Sequence, residues 1–259
     1  MPSLLLRAID RLILDAPDPE RVGWLKEWTY AHRGLHGHGV PENSLAGARL
    51  AIAQGLGIEC DIQRSSDGQA MVFHDWDLKR LTGDTRGTES CTAEQIGGLQ
   101  YLNSDERPAI LGQLLELIAG EVPLLIEIKS KRSYDVERSC KIVAEALTGY
   151  SGLHAVMSFD PRVARWFRMH SPQTVSGLVM REDDKGSTQQ AWQRRLALWI
   201  ARPEFLAYHV DALPNAMVAG VRKLGLPILT WTVDSAKKLE IASRDADAPI
   251  AEGAGVSDG

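Results

Sequence analysis

Apolar residues along this chain gather in short runs, separated by turn residues and by longer stretches with helical spacing. Eight runs stand out: Trp28–Arg33, Gly57–Gln63, Val122–Lys129, His154–Phe159, Thr174–Met180, Phe205–Val210, Pro227–Val233 and Pro249–Glu252. Runs of this length suit strands covered on both faces. Helix-length segments between them predict parallel βα units, and hence an α/β fold of the (β/α)₈ TIM-barrel type. The helical stretches carry their own punctuation. Ser44 can cap a helix in which Leu45, Ala48 and Ile52 recur at helical spacing, with Gly55 just past its end. Asp160 followed by Pro161 reads as an N-cap with proline at the first helical position.

Two segments break this rhythm. Residues 75–107, after the second apolar run, are polar and rich in turns, and a loop this long inside a barrel is more often functional than filler. Residues 181–195 are charged and read as solvated. Little chain follows the eighth run, so Leu4–Lys26 is expected to occupy the place of an eighth outer helix.

Composition narrows the class. The 259 residues match the ~250 of a one-domain α/β barrel, so a single domain over 1–259 with a small insert at about 75–107 is expected. A net charge of −5 argues against a nucleic-acid partner, and an anionic substrate would need local positive charge to draw it in. Cys60, Cys91 and Cys140 are odd in number and widely spaced, which suits a reducing compartment; a cytoplasmic location is the expectation. The apolar start Leu4-Leu5-Leu6 is interrupted by Arg7, Asp10 and Arg11, too soon for a signal peptide or for stable membrane insertion. It reads as a helix packed on the barrel or, alternatively, lying on a membrane. No feature of the sequence speaks to oligomeric state.

Side chains at the C-terminal ends of barrel strands converge on one mouth, where chemistry takes place. The first run ends in His32-Arg33-Gly34. The second carries Glu59 and Asp61, two apart and so on one face, and the third carries Glu127 and Lys129 in the same relation. Three carboxylates in otherwise apolar strands are costly to bury uncompensated. Either they form ion pairs with Arg33 and Lys129, or they ligate a divalent cation with their hard oxygens; a third carboxylate on the next strand favours the metal. Asp67-Gly68 signals a tight hairpin. In a two-residue turn centred there, paired residue numbers sum to 135, which sets His74 opposite Asp61 and beside the acidic group.

In order along the chain, His32-Arg33-Gly34, Glu42-Asn43-Ser44, Glu59-x-Asp61, Asp67-Gly68, His74-Asp75, Leu81-Thr82-Gly83 and Glu127-x-Lys129 resemble the glycerophosphodiester phosphodiesterase family. The resemblance extends from about Ala31 to Glu252 and is sharpest in the first half. It departs at Ser44, where many members have threonine, and at Ala248–Gly253, which lacks a common Thr-Asp ending and leaves Glu252 without an assigned role. The resemblance implies a (β/α)₈ barrel with one divalent cation, Mg²⁺, Ca²⁺ or Mn²⁺, on Glu59, Asp61 and Glu127. It implies His32 and His74 as the acid/base pair and Arg33 and Lys129 as phosphate-contacting cations. Glu42 either orients Arg33 or approaches the metal, and residues 75–107 resemble the family's small cap. Trp231 on the seventh run either walls the glycerol pocket or packs the barrel; Ser158 is a weaker candidate.

The expected reaction is metal-dependent hydrolysis of glycerophosphodiesters to glycerol 3-phosphate and an alcohol. His32 is expected as base and His74 as acid, because imidazole exchanges protons near neutral pH. Three other readings use the same scaffold. One is phospholipase D-type cleavage of lysophospholipids or sphingomyelin, another a barrel isomerase or aldolase, and the third a non-catalytic module for phosphorylated head groups. The alcohol moiety is not legible in the sequence.

Overall fold

Runs of valine, leucine and isoleucine form strands here because both faces of a parallel sheet are covered, so no polar alternation is needed. The computed structural model describes residues 12–256. Its nine strands are β1 (Tyr30–Ala31), β2 (Gly57–Arg64), β3 (Ala70–Val72), β4 (Leu124–Ile128), β5 (His154–Ser158), β6 (Val175–Met180), β7 (Phe205–His209), β8 (Ile228–Val233) and β9 (Ala248–Ala251). All but β3 match the eight apolar runs to within a few residues. The fold class is the (β/α)₈ barrel, with eight parallel strands and helical segments between successive strands among the described residues.

By their internal contacts the residues form two compact units, Tyr30–His154 and the remainder. In the first, β1, β2 and β4 pair in parallel and β3 runs antiparallel to β2. Ser44 caps the Leu45–Ala53 helix by accepting from the Gly47 N–H at 3.0 Å, as its position predicts. The segment after β3 builds its own small core of Met71, Phe73, Leu78, Cys91, Ile96 and Tyr101. Thr92 and Gln95 form a reciprocal capping box at the start of the Ala93–Gly97 helix.

In the second unit, β5 to β9 pair in sequence, all parallel. Asp160 caps the Pro161–His170 helix with proline at its first turn, as expected. Ser158 accepts from the Asp160 N–H at 3.2 Å, which gives it a local structural task. Residues 4–11 of the segment expected to replace an eighth helix lie outside the described residues. Of its described part, Leu14 packs with Leu178, Leu198 and Leu206, and Arg21 pairs with Glu204 at 2.5 Å.

Among the described residues no helix is long and apolar enough to cross a membrane.

Candidate active site

The backbone after β1 does the first part of the positioning. Arg33 and Gly34 both adopt left-handed conformations, with φ of 57° and 74°. A Cβ at Gly34 would lie 3.0 Å from the Gly47 carbonyl carbon, so glycine is required there by both conformation and space. This turn sends the Arg33 N–H toward β2, where it donates to Glu59 Oε2 at 3.0 Å. Asn43, also left-handed at φ 56°, donates from Nδ2 to Asp61 Oδ2 at 2.9 Å and accepts from the Asp61 N–H at 3.0 Å. Non-glycine residues in this region carry strain of about 1 kcal/mol or more, and such strain concentrates at functional sites.

Parallel register brings the acids together. Asp61 of β2 lies beside Glu127 of β4, and Glu59 precedes Asp61 by two residues on the same face. All three are buried, at 2%, 1% and 8% exposure. Each offers an oxygen within 4.8 Å of the others, an arrangement that could hold a metal ion. Lys129 Nζ bridges Asp61 Oδ1 and Glu127 Oε1 at 2.7 Å each, and Arg33 Nε lies 3.2 Å from Asp61 Oδ2. The ion pairs read from the sequence are therefore present, and the same acids form a cluster able to hold a metal ion.

The cations do not balance the acids. Burial works against the charge on Asp61, but Lys129 and Arg33 outweigh it and hold its carboxyl well below the usual carboxylate range. Burial likewise opposes the Lys129 ammonium, and Asp61 and Glu127 keep it charged. Glu59 is less well compensated: burial, with the negative charges of Asp61 and Glu127 beside it, outweighs the nearby His32 and Arg33 and pushes its carboxyl up to about 7. That pattern fits a divalent cation: a buried oxygen donor set whose negative charge the protein's own cations leave under-compensated.

His74 reaches the site by a different turn from the one expected. The hairpin pairs Ile62 with Val72 and Arg64 with Ala70, so paired numbers sum to 134 rather than 135. The turn holds three residues, Ser66, Asp67 and Gly68, with Gly68 left-handed at φ 84° and its N–H bonded to the Ser65 carbonyl. Phe73, not His74, is therefore the residue whose N–H meets Asp61, donating to its carbonyl at 2.9 Å. His74 follows β3, with its carbonyl accepting from Gln63 Nε2 at 3.1 Å and its ring close enough to favour the ionised Asp61.

The His74 ring is itself held. Its Nδ1 lies 2.7 Å from Asp75 Oδ1. Arg80 forks onto Asp75 through Nε (2.6 Å) and Nη2 (3.0 Å), and onto Glu42 through Nη1 (2.9 Å) and Nη2 (2.6 Å). Glu42 in turn accepts from Arg33 Nη1 at 2.8 Å. Glu42 thus orients Arg33, and a continuous chain of charge-assisted bonds joins Arg33 to His74. Burial raises the Glu42 carboxyl, but Arg80 and Arg33 overcome it and lower it on balance.

Sequence reasoning missed Asn43 and Arg80 as site residues. Asn43 was signalled by its place between Glu42 and Ser44, and Arg80 by a guanidinium one turn beyond the His74-Asp75 pair. Trp231 belongs to the other compact unit. There its ring meets His209 at 4.7 Å and Phe159 at 5.4 Å between centroids, and its Nε1 donates to the Ala207 carbonyl at 3.0 Å. Within that unit it packs into an aromatic cluster, as one of its two expected roles supposed.

Residues 32–256 match the glycerophosphoryl diester phosphodiesterase family. A glycerophosphodiester phosphodiesterase of Caldanaerobacter subterraneus subsp. tengcongensis is 26% identical over 228 residues, 83% of this chain and 89% of that protein. The structure of a glycerophosphodiester phosphodiesterase from Thermotoga maritima is similar with a TM-score of 0.69 at 25% identity, covering 86% of this chain and 93% of that one. An Oleispira antarctica phosphodiesterase, solved in complex with the product sn-glycerol-3-phosphate, has the same fold, with a TM-score of 0.76 at 23% identity over 86% of this chain and 92% of that one. This chain is a (β/α)₈-barrel enzyme and belongs to the glycerophosphoryl diester phosphodiesterase family.

Proposed function

We propose that this enzyme hydrolyses glycerophosphodiesters to glycerol 3-phosphate and an alcohol, with Glu59, Asp61 and Glu127 holding one divalent cation. The observation that carries the metal is charge. Among the described residues Glu42, Glu59, Asp61, Asp75 and Glu127 pair or cluster with three permanent cations, Arg33, Arg80 and Lys129, so with all five carboxyls ionised two negative charges are left over. When bound, a divalent ion supplies electrophilic stabilisation of a phosphate oxygen and lowers the pKa of a coordinated hydroxyl.

The side chains do the rest. Arg33, clamped by Glu42, presents a planar fork suited to a phosphate, and Lys129 adds a point charge. His32 takes the proton from the glycerol 2-hydroxyl as its oxygen bonds to phosphorus. The bond from phosphorus to the alcohol oxygen breaks, and His74 protonates that oxygen. In the second half the roles exchange: His74 deprotonates a water that opens the cyclic phosphate, and His32 returns a proton to the 2-oxygen. The contact of Nδ1 with Asp75 supports His74 in this role, because it fixes the ring and leaves Nε2 to exchange the proton. The segment 75–107 supplies His74's supports and is the proposed seat of selectivity for the alcohol.

The test is a panel of choline, ethanolamine, glycerol and inositol glycerophosphodiesters, with lysophosphatidylcholine as a further arm. The enzyme is stripped with EDTA and restored with Mg²⁺, Ca²⁺ or Mn²⁺. Release of glycerol 3-phosphate that stops on stripping and returns with metal is expected, and His32→Ala should lower kcat by ~10²–10⁴. Hydrolysis of lysophosphatidylcholine alone, or full activity of the stripped enzyme, would overturn the assignment.

A further inference from the structure

The Ala191–Ala201 helix carries apolar residues on its outer face as well as its inner one. Its inward face, Ala197, Leu198 and Ala201, joins the core of its unit. On the opposite side Trp192, Leu196 and Trp199 are 65%, 45% and 56% exposed. Their spacing of four and three residues puts them on one stripe, and Arg195 falls beside them on the same arc. Solvated helix faces are ordinarily polar; a stripe with two tryptophans marks a contact surface.

Charge says what covers it. The neighbouring Pro161–His170 helix packs against this one through Ala164 and exposes Arg165, Arg168 and Met169. The two helices together carry five arginines and no carboxylate, in a chain of net charge −5. Arg162 is neutralised by Asp160 and Arg194 by Glu182, while Arg165 and Arg168 form no ion pair among the described residues. A cationic rim around exposed tryptophan and leucine is the composition of helices that lie in the interface of an anionic bilayer.

A second copy of the chain fits less well. An isologous contact would bring two faces rimmed by Arg165 and Arg168 together, with no carboxylate on either helix to offset them. Two tryptophans and a leucine also offer only about 400 Å², half of the roughly 800 Å² per partner in a stable interface.

We propose that Trp192, Leu196 and Trp199, rimmed by Arg165 and Arg168, dock this protein reversibly on the surface of anionic lipid bilayers. The rings would sit at headgroup depth, without a membrane span.

The experiment is co-sedimentation of the full chain with vesicles of phosphatidylcholine, with and without phosphatidylglycerol. Binding only to the anionic vesicles is expected, falling away in about 1 M salt, where the screening length is about 3 Å. The W192S/L196S/W199S variant should bind at least about tenfold more weakly, and R165E/R168E should do the same. Because the arginine variant alters only exposed charges, it decides the matter if the serine variant fails to fold. Equal binding to neutral vesicles, or none to either, would overturn the proposal. So would a concentration-dependent dimer, seen by sedimentation without lipid, that the serine substitutions abolish. None of these outcomes depends on catalytic activity.

Discussion

Replacing Glu59 by glutamine should make the metal-free protein more stable while abolishing its activity. The Glu59 carboxyl is pushed from its usual value near 4.5 up to about 7 by burial and by the charges of Asp61 and Glu127. The folded state therefore holds this proton more tightly than the unfolded chain does. Its stabilising effect is complete below pH 4.5 and is lost as pH rises through 7. At ~1.4 kcal/mol per pH unit, the loss amounts to about 1 kcal/mol at pH 5 and about 3 kcal/mol at pH 8. Glutamine cannot ionise, yet it keeps an oxygen to accept the Arg33 N–H that now lies 3.0 Å from Oε2. With EDTA present, Glu59→Gln should gain about 3 kcal/mol over wild type at pH 8, or roughly 6–12 °C in Tm, and about 1 kcal/mol at pH 5. Urea unfolding at the two pH values reads the difference. Added divalent cation should narrow the gap and, at high excess, reverse the order, because only the wild type gains from binding; a thousandfold excess over Kd adds about 4.1 kcal/mol. A gain that does not grow with pH, or no gain, would refute the reasoning that Glu59 is the under-compensated member of the cluster.

Other perturbations test neighbouring parts. Arg80→Gln, which cuts both forks to Glu42 and Asp75, should lower kcat by about 10–100-fold with Arg80→Lys recovering part of it, since misplaced catalytic groups cost about that much; steady-state kinetics of the two variants decide. Lys129→Met should destabilise the chelated protein by about 3–5 kcal/mol in urea at neutral pH, because it leaves Asp61 and Glu127 buried beside each other. Gly34→Ala should cost about 1–3 kcal/mol of unfolding free energy in urea and depress activity with it, since φ of 74° and the Gly47 backbone 3.0 Å away both oppose a side chain.

Much of the barrel was legible because parallel strands covered on both faces must be apolar throughout, so Leu124–Ile128 and Ile228–Val233 announce themselves. Glu59, Asp61 and Glu127 could be found for the complementary reason that a carboxylate inside such a run needs an explanation. Register was harder to read. Asp67-Gly68 suits either a two-residue turn or the last part of a three-residue turn, and only the observed Ser65–Gln69 closure separates them; the one-residue difference puts Phe73 where His74 was expected. The Glu42–Arg33 link was one of two readings open in the sequence, but its continuation through Arg80 and Asp75 to His74 was not, because the partners lie up to 38 residues apart and charged residues in a polar loop look solvated. Trp231 shows the opposite limit: an aromatic residue at a strand end reads the same whether it packs in its own unit or faces a ligand.

The account rests on a divalent cation held by Glu59, Asp61 and Glu127, and calorimetric titration of EDTA-stripped enzyme with Mn²⁺ tests it most directly. One ion bound per chain is predicted, with Glu127→Gln, whose buried carboxylate lies beside Asp61, weakening it at least about tenfold. No saturable binding by the wild type, or unchanged affinity in the folded variant, would contradict it.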